Sequence, residues 1–367
     1  MKREILLVIV IIIICIPSYT LNCSYPSYHS PSAFDRVFGS VSGCCNIWNT
    51  NPLSVWSNPA KLGYHRGFSL GYSSANDSNY NEISYRAAYI TYGYKGMGVM
   101  LPMINSHGKF GYSYKENDRI EIDEDGNLVK TADYYDSSSQ FAFGFNLLEI
   151  YNNYNTNELT SDWQNFTDLS MGYNGGIAYE SNTPNYGTSE IEGNEDAKYN
   201  YSDGLGMVLR ISPLNETNFK EYYYLKADII TAMDLNGIIS SYNKSFKSGF
   251  SLRLAADLEK YLPEYYDVLS DISKNVVTMY ISYETCNSNE FQFSSSGIEL
   301  TFLDILSLRT GKDDDAEKYN FGIGLNFQYK DYYQFQLNIA LLDKGDFNNQ
   351  VYLDIMLNVN LSHLFFH

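Results

Sequence analysis

The chain has 367 residues, with 43 Asp and Glu against 25 Lys and Arg for a formal net charge of −18. That balance excludes nucleic acid, and anionic lipid headgroups, as partners held by a basic patch. Mean hydropathy is −0.30, and no segment approaches the roughly eighteen apolar residues that a spanning helix needs, so a membrane form of this chain crosses with strands.

The N-terminus reads as a secretory signal: Lys2 and Arg3, an unbroken apolar run from Ile5 to Ile16, then Pro17 and Ser18-Tyr19-Thr20. Residues 1–20 are expected to be removed, leaving a mature chain from Leu21. A lipidated alternative at Cys15 or Cys23 is disfavoured because Ile14 and Asn22 stand where a small residue normally precedes the modified cysteine. Cys23, Cys44, Cys45 and Cys286 remain, an even set that permits disulfides in an exported chain but matches no zinc spacing.

Residues 21–66 are rich in Ser, Pro, Asn and Gly and lack period-2 order. Within them lies Val55-Trp56-Ser57-Asn58-Pro59-Ala60-Lys61-Leu62-Gly63. Asn-Pro favours a turn, and proline fixes the backbone while removing a donor, so this segment suits a compact plug better than a strand. The plug motif is Trp56, Asn58, Pro59, Ala60 and Leu62.

From Phe68 onward apolar and polar residues alternate. Phe68, Leu70 and Tyr72 oppose Ser69, Gly71 and Ser73; Phe141, Phe143 and Phe145 oppose Ala142, Gly144 and Asn146. Phe250, Leu252 and Leu254 oppose Ser251 and Arg253, and Val277, Met279 and Ile281 oppose Thr278, Tyr280 and Ser282. The clearest runs are the last three, Phe321–Tyr329, Tyr333–Leu341 and Val351–Leu361. Successive side chains of a strand point to opposite faces, so each run has one greasy and one wet face. Their length matches the roughly 9 to 11 residues of a tilted membrane strand better than the roughly 5 or 6 of an ordinary one. The 35 Tyr, 20 Phe and 3 Trp suit its interfacial girdles. Counted with fainter runs, the pattern predicts an all-β fold: a transmembrane antiparallel up-and-down barrel of about 14 strands over residues 67–367, with residues 21–66 as a luminal plug. A secreted soluble sandwich or adhesin is the alternative that alternation alone leaves open.

Acidic or Asn-rich segments, Glu116–Asp136, Ser181–Asp203 and Gly311–Lys318, read as loops. Their carboxylates, such as Asp123 to Asp125 or Asp313 to Asp315, lack the ligand offsets of a calcium loop. The histidines, His29, His65, His107, His363 and His367, form no paired metal motif, and no nucleophile motif or phosphate loop is present. Composition and motifs therefore predict a non-enzymatic protein without cofactor or metal.

In Gly297–Gly311, parity puts Ile298, Leu300, Phe302, Leu306 and Leu308 on one face and Glu299, Thr301, Ser307 and Arg309 on the other. With a tight turn at Asp304, Glu299 and Arg309 lie directly across from one another, which predicts an ion pair inside the barrel. The lumen-facing set of the last three strands is Gln328, Gln334, Gln336, Asn338, Asp354, Asn358 and Asn360. Its single charge predicts a lumen without the charged ring of an ion-selective pore.

Asn58-Pro59-Ala60 resembles the segment that opens FadL-like outer-membrane barrels and their PorV-type (PorV/PorQ) relatives. The Glu299 strand followed by Leu308-Arg309-Thr310-Gly311 resembles a PorV-type hairpin. Lys61 departs from the family's usual Gly, and His367 follows the aromatic that normally ends such a chain. The resemblance implies an outer-membrane protein of a diderm bacterium embedded in lipid. Its PorV-type branch implies type IX-like protein export, with cargo proteins and secretion components as partners, and its FadL-like branch a hatch-gated uptake channel for long-chain fatty acids or other hydrophobic small molecules. The hairpin leans the reading toward export, with uptake as the alternative.

Overall fold

The computed structural model describes residues 58–77, 84–112, 130–154, 167–186, 198–214, 225–236, 238, 245–288, 292–313, 319–330, 332–342 and 350–360. The expected signal, Trp56, Cys23, Cys44, Cys45 and residues Asp123 to Asp125 lie outside them.

Fourteen strands form one closed antiparallel barrel. They are β1 (Gly67–Asp77), β2 (Ser84–Tyr94), β3 (Met97–Tyr112), β4 (Lys130–Asn146), β5 (Thr167–Tyr186), β6 (Lys198–Leu214) and β7 (Leu225–Asn236). The other half is β8 (Ser245–Asp257), β9 (Asn275–Ser288), β10 (Gln292–Phe302), β11 (Leu306–Asp313), β12 (Asn320–Tyr329), β13 (Tyr333–Leu342) and β14 (Gln350–Val359). Each strand pairs with its sequence neighbour, and β1 closes on β14 from Phe68↔Val359 to Asp77↔Gln350. Closure leaves no strand edge, which is the condition for placing a sheet in hydrocarbon.

Parity then distributes the side chains. Leu70, Tyr92, Val99, Leu101, Phe250, Ile298, Phe321, Ile323, Phe327 and Leu341 are exposed on the outer wall. Ser69, Thr91, Ser170, Ser251, Thr278, Glu299, Asn338 and Asp354 are buried on the inner one. A soluble sandwich puts its greasy faces inward; here they face out, so the barrel is transmembrane and the soluble alternative falls.

Three tight hairpins mark one end of the barrel. Between Tyr94 and Met97, Lys95 and Gly96 have φ of 48° and 83°, the left-handed pair that matches a two-residue reversal to strand twist. Leu303 and Asp304, with φ of 48° and 51°, open the three-residue connection between Phe302 and Leu306, and in the third hairpin Lys330 is left-handed, with φ 50°. The same end carries α1 (Leu147–Tyr154) and the short helices α2 (Leu258–Tyr261) and α3 (Tyr266–Leu269).

At the opposite end the strands outrun the sequence expectation. β4 takes residues 130–136 and β5 runs to Tyr186, with Lys130 paired to Tyr186 and Tyr135 to Ser181. β6 begins at Lys198, and β11 reaches Asp313. The acidic stretches read as loops are therefore partly strand. Backbone pairing continues past the apolar band because ladder hydrogen bonds do not require greasy side chains.

Candidate functional site

Pro59–Tyr64 forms a short 3-10 turn of six residues inside the barrel, against the inner wall of β2 to β6. Asn58 caps it in extended conformation: its Oδ1 accepts from the Ala60 N–H at 3.0 Å. Its Nδ2 donates to the carbonyls of Met207 on β6 and Met233 on β7, both at 3.3 Å. One buried amide thus starts the turn and ties it to two strands. Pro59 occupies the first position, where its missing N–H costs nothing.

The wall leaves room for this turn by omitting side chains. A Cβ on Gly172 would run into Pro59 and the Ala60 nitrogen, so backbone lies on backbone there. The Ser170 hydroxyl donates to the Ala60 carbonyl at 2.5 Å. Around these polar ties the contact is apolar. Leu62 packs with Tyr89, Met100 and Ala142, while Ala60 packs with Val208, Ile230 and Ala232, joined by Tyr64. Burial of Leu62, 1% exposed, contributes about 1.5–3 kcal/mol to seating the turn.

His65 and Arg66 join the turn to β1. His65 is buried, with Nε2 3.2 Å from the Ser69 hydroxyl and 2.9 Å from that of Thr91. Burial, reinforced by the Arg66 charge, pushes its pKa down to about 4. Burial also raises the Tyr64 phenol. Arg66 donates to the His65 carbonyl at 2.8 Å and forms an ion pair with Glu149 of α1.

Across the lumen the wall is polar. Glu299 and Arg309 are register partners on β10 and β11, and Arg309 Nε donates to Glu299 Oε2 at 3.0 Å. Arg309 Nη1 reaches Asn338 Oδ1 on β13 at 2.7 Å, and Asn338 Nδ2 donates to Asp354 on β14 at 3.1 Å. The chain of bonds steps over β12 at Gly324, where a Cβ would sit 2.6 Å from Asn338 Oδ1 and 2.9 Å from Arg309 Nη1. Thr301 donates to Glu299 Oε1 at 3.1 Å. Gln336, Asn338, Asp354 and Asn360 are buried on the inner wall, and Gln328, Gln334 and Asn358 are half-buried there.

No family model matches this chain, and no curated protein does. Among solved structures, the toluene transporter TbuX of Ralstonia pickettii is 9% identical with a TM-score of 0.46, covering 84% of this chain and 94% of its own. The toluene transporter TodX of P. putida is 10% identical with a TM-score of 0.43, covering 83% and 92%. The outer membrane protein Omp33 of Acinetobacter baumannii is 9% identical with a TM-score of 0.37, covering 81% and 99%. Toluene belongs to the first two proteins; the likeness does not assign it to this chain.

The single expected charge belongs to the last three strands; β6, β7 and β8 add charges of their own. Asp228 accepts from Arg210 and from Arg253, each at 2.8 Å. Asp203, Asp234, Lys247 and Glu284 are also buried. Parity offered one signal, since Arg253 alternates with Leu252 and Leu254. In β6 and β7 the contrast disappears: Met207-Val208-Leu209 and Ile229-Ile230 are apolar on both faces. The reason is the turn itself, because Val208, Ile230 and Ala232 face inward against Ala60, so both sides of these strands meet apolar surroundings.

Proposed function

We propose that this chain is an outer-membrane conduit for small molecules with a hydrophobic body, closed by residues 58–66 acting as a hatch. The observation that carries the reading is the two-sided lumen. The 3-10 turn covers an apolar strip of Tyr89, Met100, Ala142, Val208, Ile230 and Ala232, while the facing wall is polar. Withdrawal of the hatch uncovers that strip, and an apolar solute entering from the membrane side gains a dry track in place of Ala60 and Leu62. The segment is tied to the wall by a few side-chain hydrogen bonds and lies inside a ladder that closes without it, so its release leaves the barrel closed.

Protein export is the second reading. Its motif, the Glu299–Arg309 hairpin, directs both charges at each other inside the lumen, with side chains 7% and 10% exposed. So placed, the pair braces the wall and presents no face to a partner protein.

The test is uptake of radiolabelled oleate by cells expressing the full chain, against empty vector and against Leu62→Asp. Uptake above vector, increased by Leu62→Asp, is expected. Uptake at the vector level by a barrel that still shifts on heating would overturn the conduit.

A further inference from the structure

We propose that the polar half of the lumen is a binding site for a neutral polyhydroxylated ligand, a saccharide of roughly one or two rings, distinct from the hatch strip. A cavity of about 510 Å3 opens between β9 to β13 and the β8–β9 connection, and no hatch residue lines it. The proposal stands whether or not apolar solutes pass the hatch.

The lining is nearly all hydrogen-bonding. Ile272 and Leu325 are its only aliphatic members among the described residues. Its charges cancel: Lys274, Arg309 and Lys330 stand against Asp271, Glu299 and Asp304. Five of the six are also engaged with one another or with the backbone, and the sixth, Lys274, is exposed. Glu299 holds Arg309, and Lys330 lies 3.6 Å from Asp271. Asp304 Oδ2 accepts from the N–H groups of Lys274 and Asn275 at 2.8 and 2.9 Å, and from the Ser273 hydroxyl at 3.2 Å. A charged ligand would find no net opposite charge here and, except at the exposed Lys274, would have to displace one of these bonds.

A neutral ligand with many hydroxyls meets a better match. Gln328, Gln334, Gln336, Asn326 and Asn338 line the cavity at strand spacing. Gln334 donates to Asn326, and Asn338 bridges Arg309 and Asp354. Yet an amide has two N–H donors and two lone pairs, so each can also serve the alternating demands of vicinal hydroxyls. Two further atoms lie in this wall without a hydrogen-bond partner among the described residues. They are the Thr278 hydroxyl, on a residue 2% exposed, and Asn275 Oδ1, on one 6% exposed. A buried polar atom left unsatisfied costs stability, and because each has almost no accessible surface of its own, ligand hydroxyls satisfy them through a small adjustment of this wall on binding.

The experiment uses the full chain in dimethylamine-oxide detergent, since a maltoside would present its own sugar. Glucose, sucrose and N-acetylglucosamine are titrated calorimetrically and by saturation-transfer NMR, with glucuronate and glucosamine as charged counterparts. Saturable binding of a neutral sugar, at least tenfold tighter than its charged counterpart, is expected. Thr278→Val should weaken binding about tenfold by removing one hydrogen bond without lowering the unfolding midpoint, and Thr278→Ser should restore it. A purely structural threonine would move the midpoint and not the affinity. Absence of sugar binding to a heat-shiftable barrel, equal binding of the charged counterparts, or unchanged affinity in Thr278→Val would each overturn the site.

Discussion

Among single residues, Asn58 and His65 do most to seat the inner turn. Asn58 makes three hydrogen bonds from one fully buried side chain. Asn58→Ala should destabilise the seated turn by about 2 kcal/mol, combining a lost cap with the loss of two side-chain bonds to strand carbonyls. The check is faster protease cleavage near residue 58 with an unchanged barrel band on a gel. His65 sets a pH dependence. Its folded pKa lies near 4, below the ordinary value of about 6.5. Between those values the unfolded form binds more protons than the folded one, so stability is full above about 6.5 and declines as pH falls through the window. By pH 4 the loss is on the order of 3 kcal/mol, because an imidazolium enclosed beside Arg66 lacks solvent. Guanidinium midpoints at pH 7 and pH 4 should therefore converge in His65→Gln and diverge in the parent; equal slopes in both proteins would remove His65 as the cause.

At the scale of elements, the β10–β11 hairpin and the β5 wall make separate predictions. Glu299 and Arg309 lie in direct register because the connection between Phe302 and Leu306 has three residues, Leu303 to Ile305, which centres the reversal on Asp304. Glu299→Ala or Arg309→Ala alone leaves a buried charge and should cost about 3–5 kcal/mol, whereas the double variant should cost less than the sum. Strictly additive losses in a double-mutant cycle would refute the coupling. Gly172→Ala places a methyl against the Pro59–Ala60 backbone, so the turn rather than the strand should yield. Planar-bilayer conductance should rise above that of the parent while the heat-shifted band stays the same. Parent-like conductance would mean that the turn does not obstruct the lumen.

Across the whole molecule, the closed ladder from β1 to β14 predicts a compact, fast-running unboiled band that slows on boiling. The outward apolar wall predicts fractionation with the outer membrane. Recovery in the soluble fraction without a heat shift would contradict both. The lumen is divided in section: an apolar side filled by the 3-10 turn, a charged belt of Arg210, Asp228 and Arg253, and a polar side around Glu299, Arg309 and Asn338. These sectors come from different strands, and closure alone places them face to face.

Most of the barrel was legible in the residues because a membrane strand must separate two solvents at a period of 2, as Phe321–Tyr329 and Val351–Val359 do without interruption. The Glu299–Arg309 pairing was legible for the same reason, being local and governed by parity and one turn. The seat of the inner turn was not. Ala60 bonds to Ser170, 110 residues away, and Asn58 to Met233, 175 residues away; no periodicity encodes contacts that only closure creates. Where β6 and β7 cross that seat, both faces are apolar and the alternation fades, hiding the Arg210–Asp228–Arg253 cluster as well. Sequence by itself determined which face meets lipid in every strand that alternates, since that choice depends on the residue and its two neighbours. Only the tertiary structure decided what fills the lumen, since that depends on which strands the closed ring brings opposite one another.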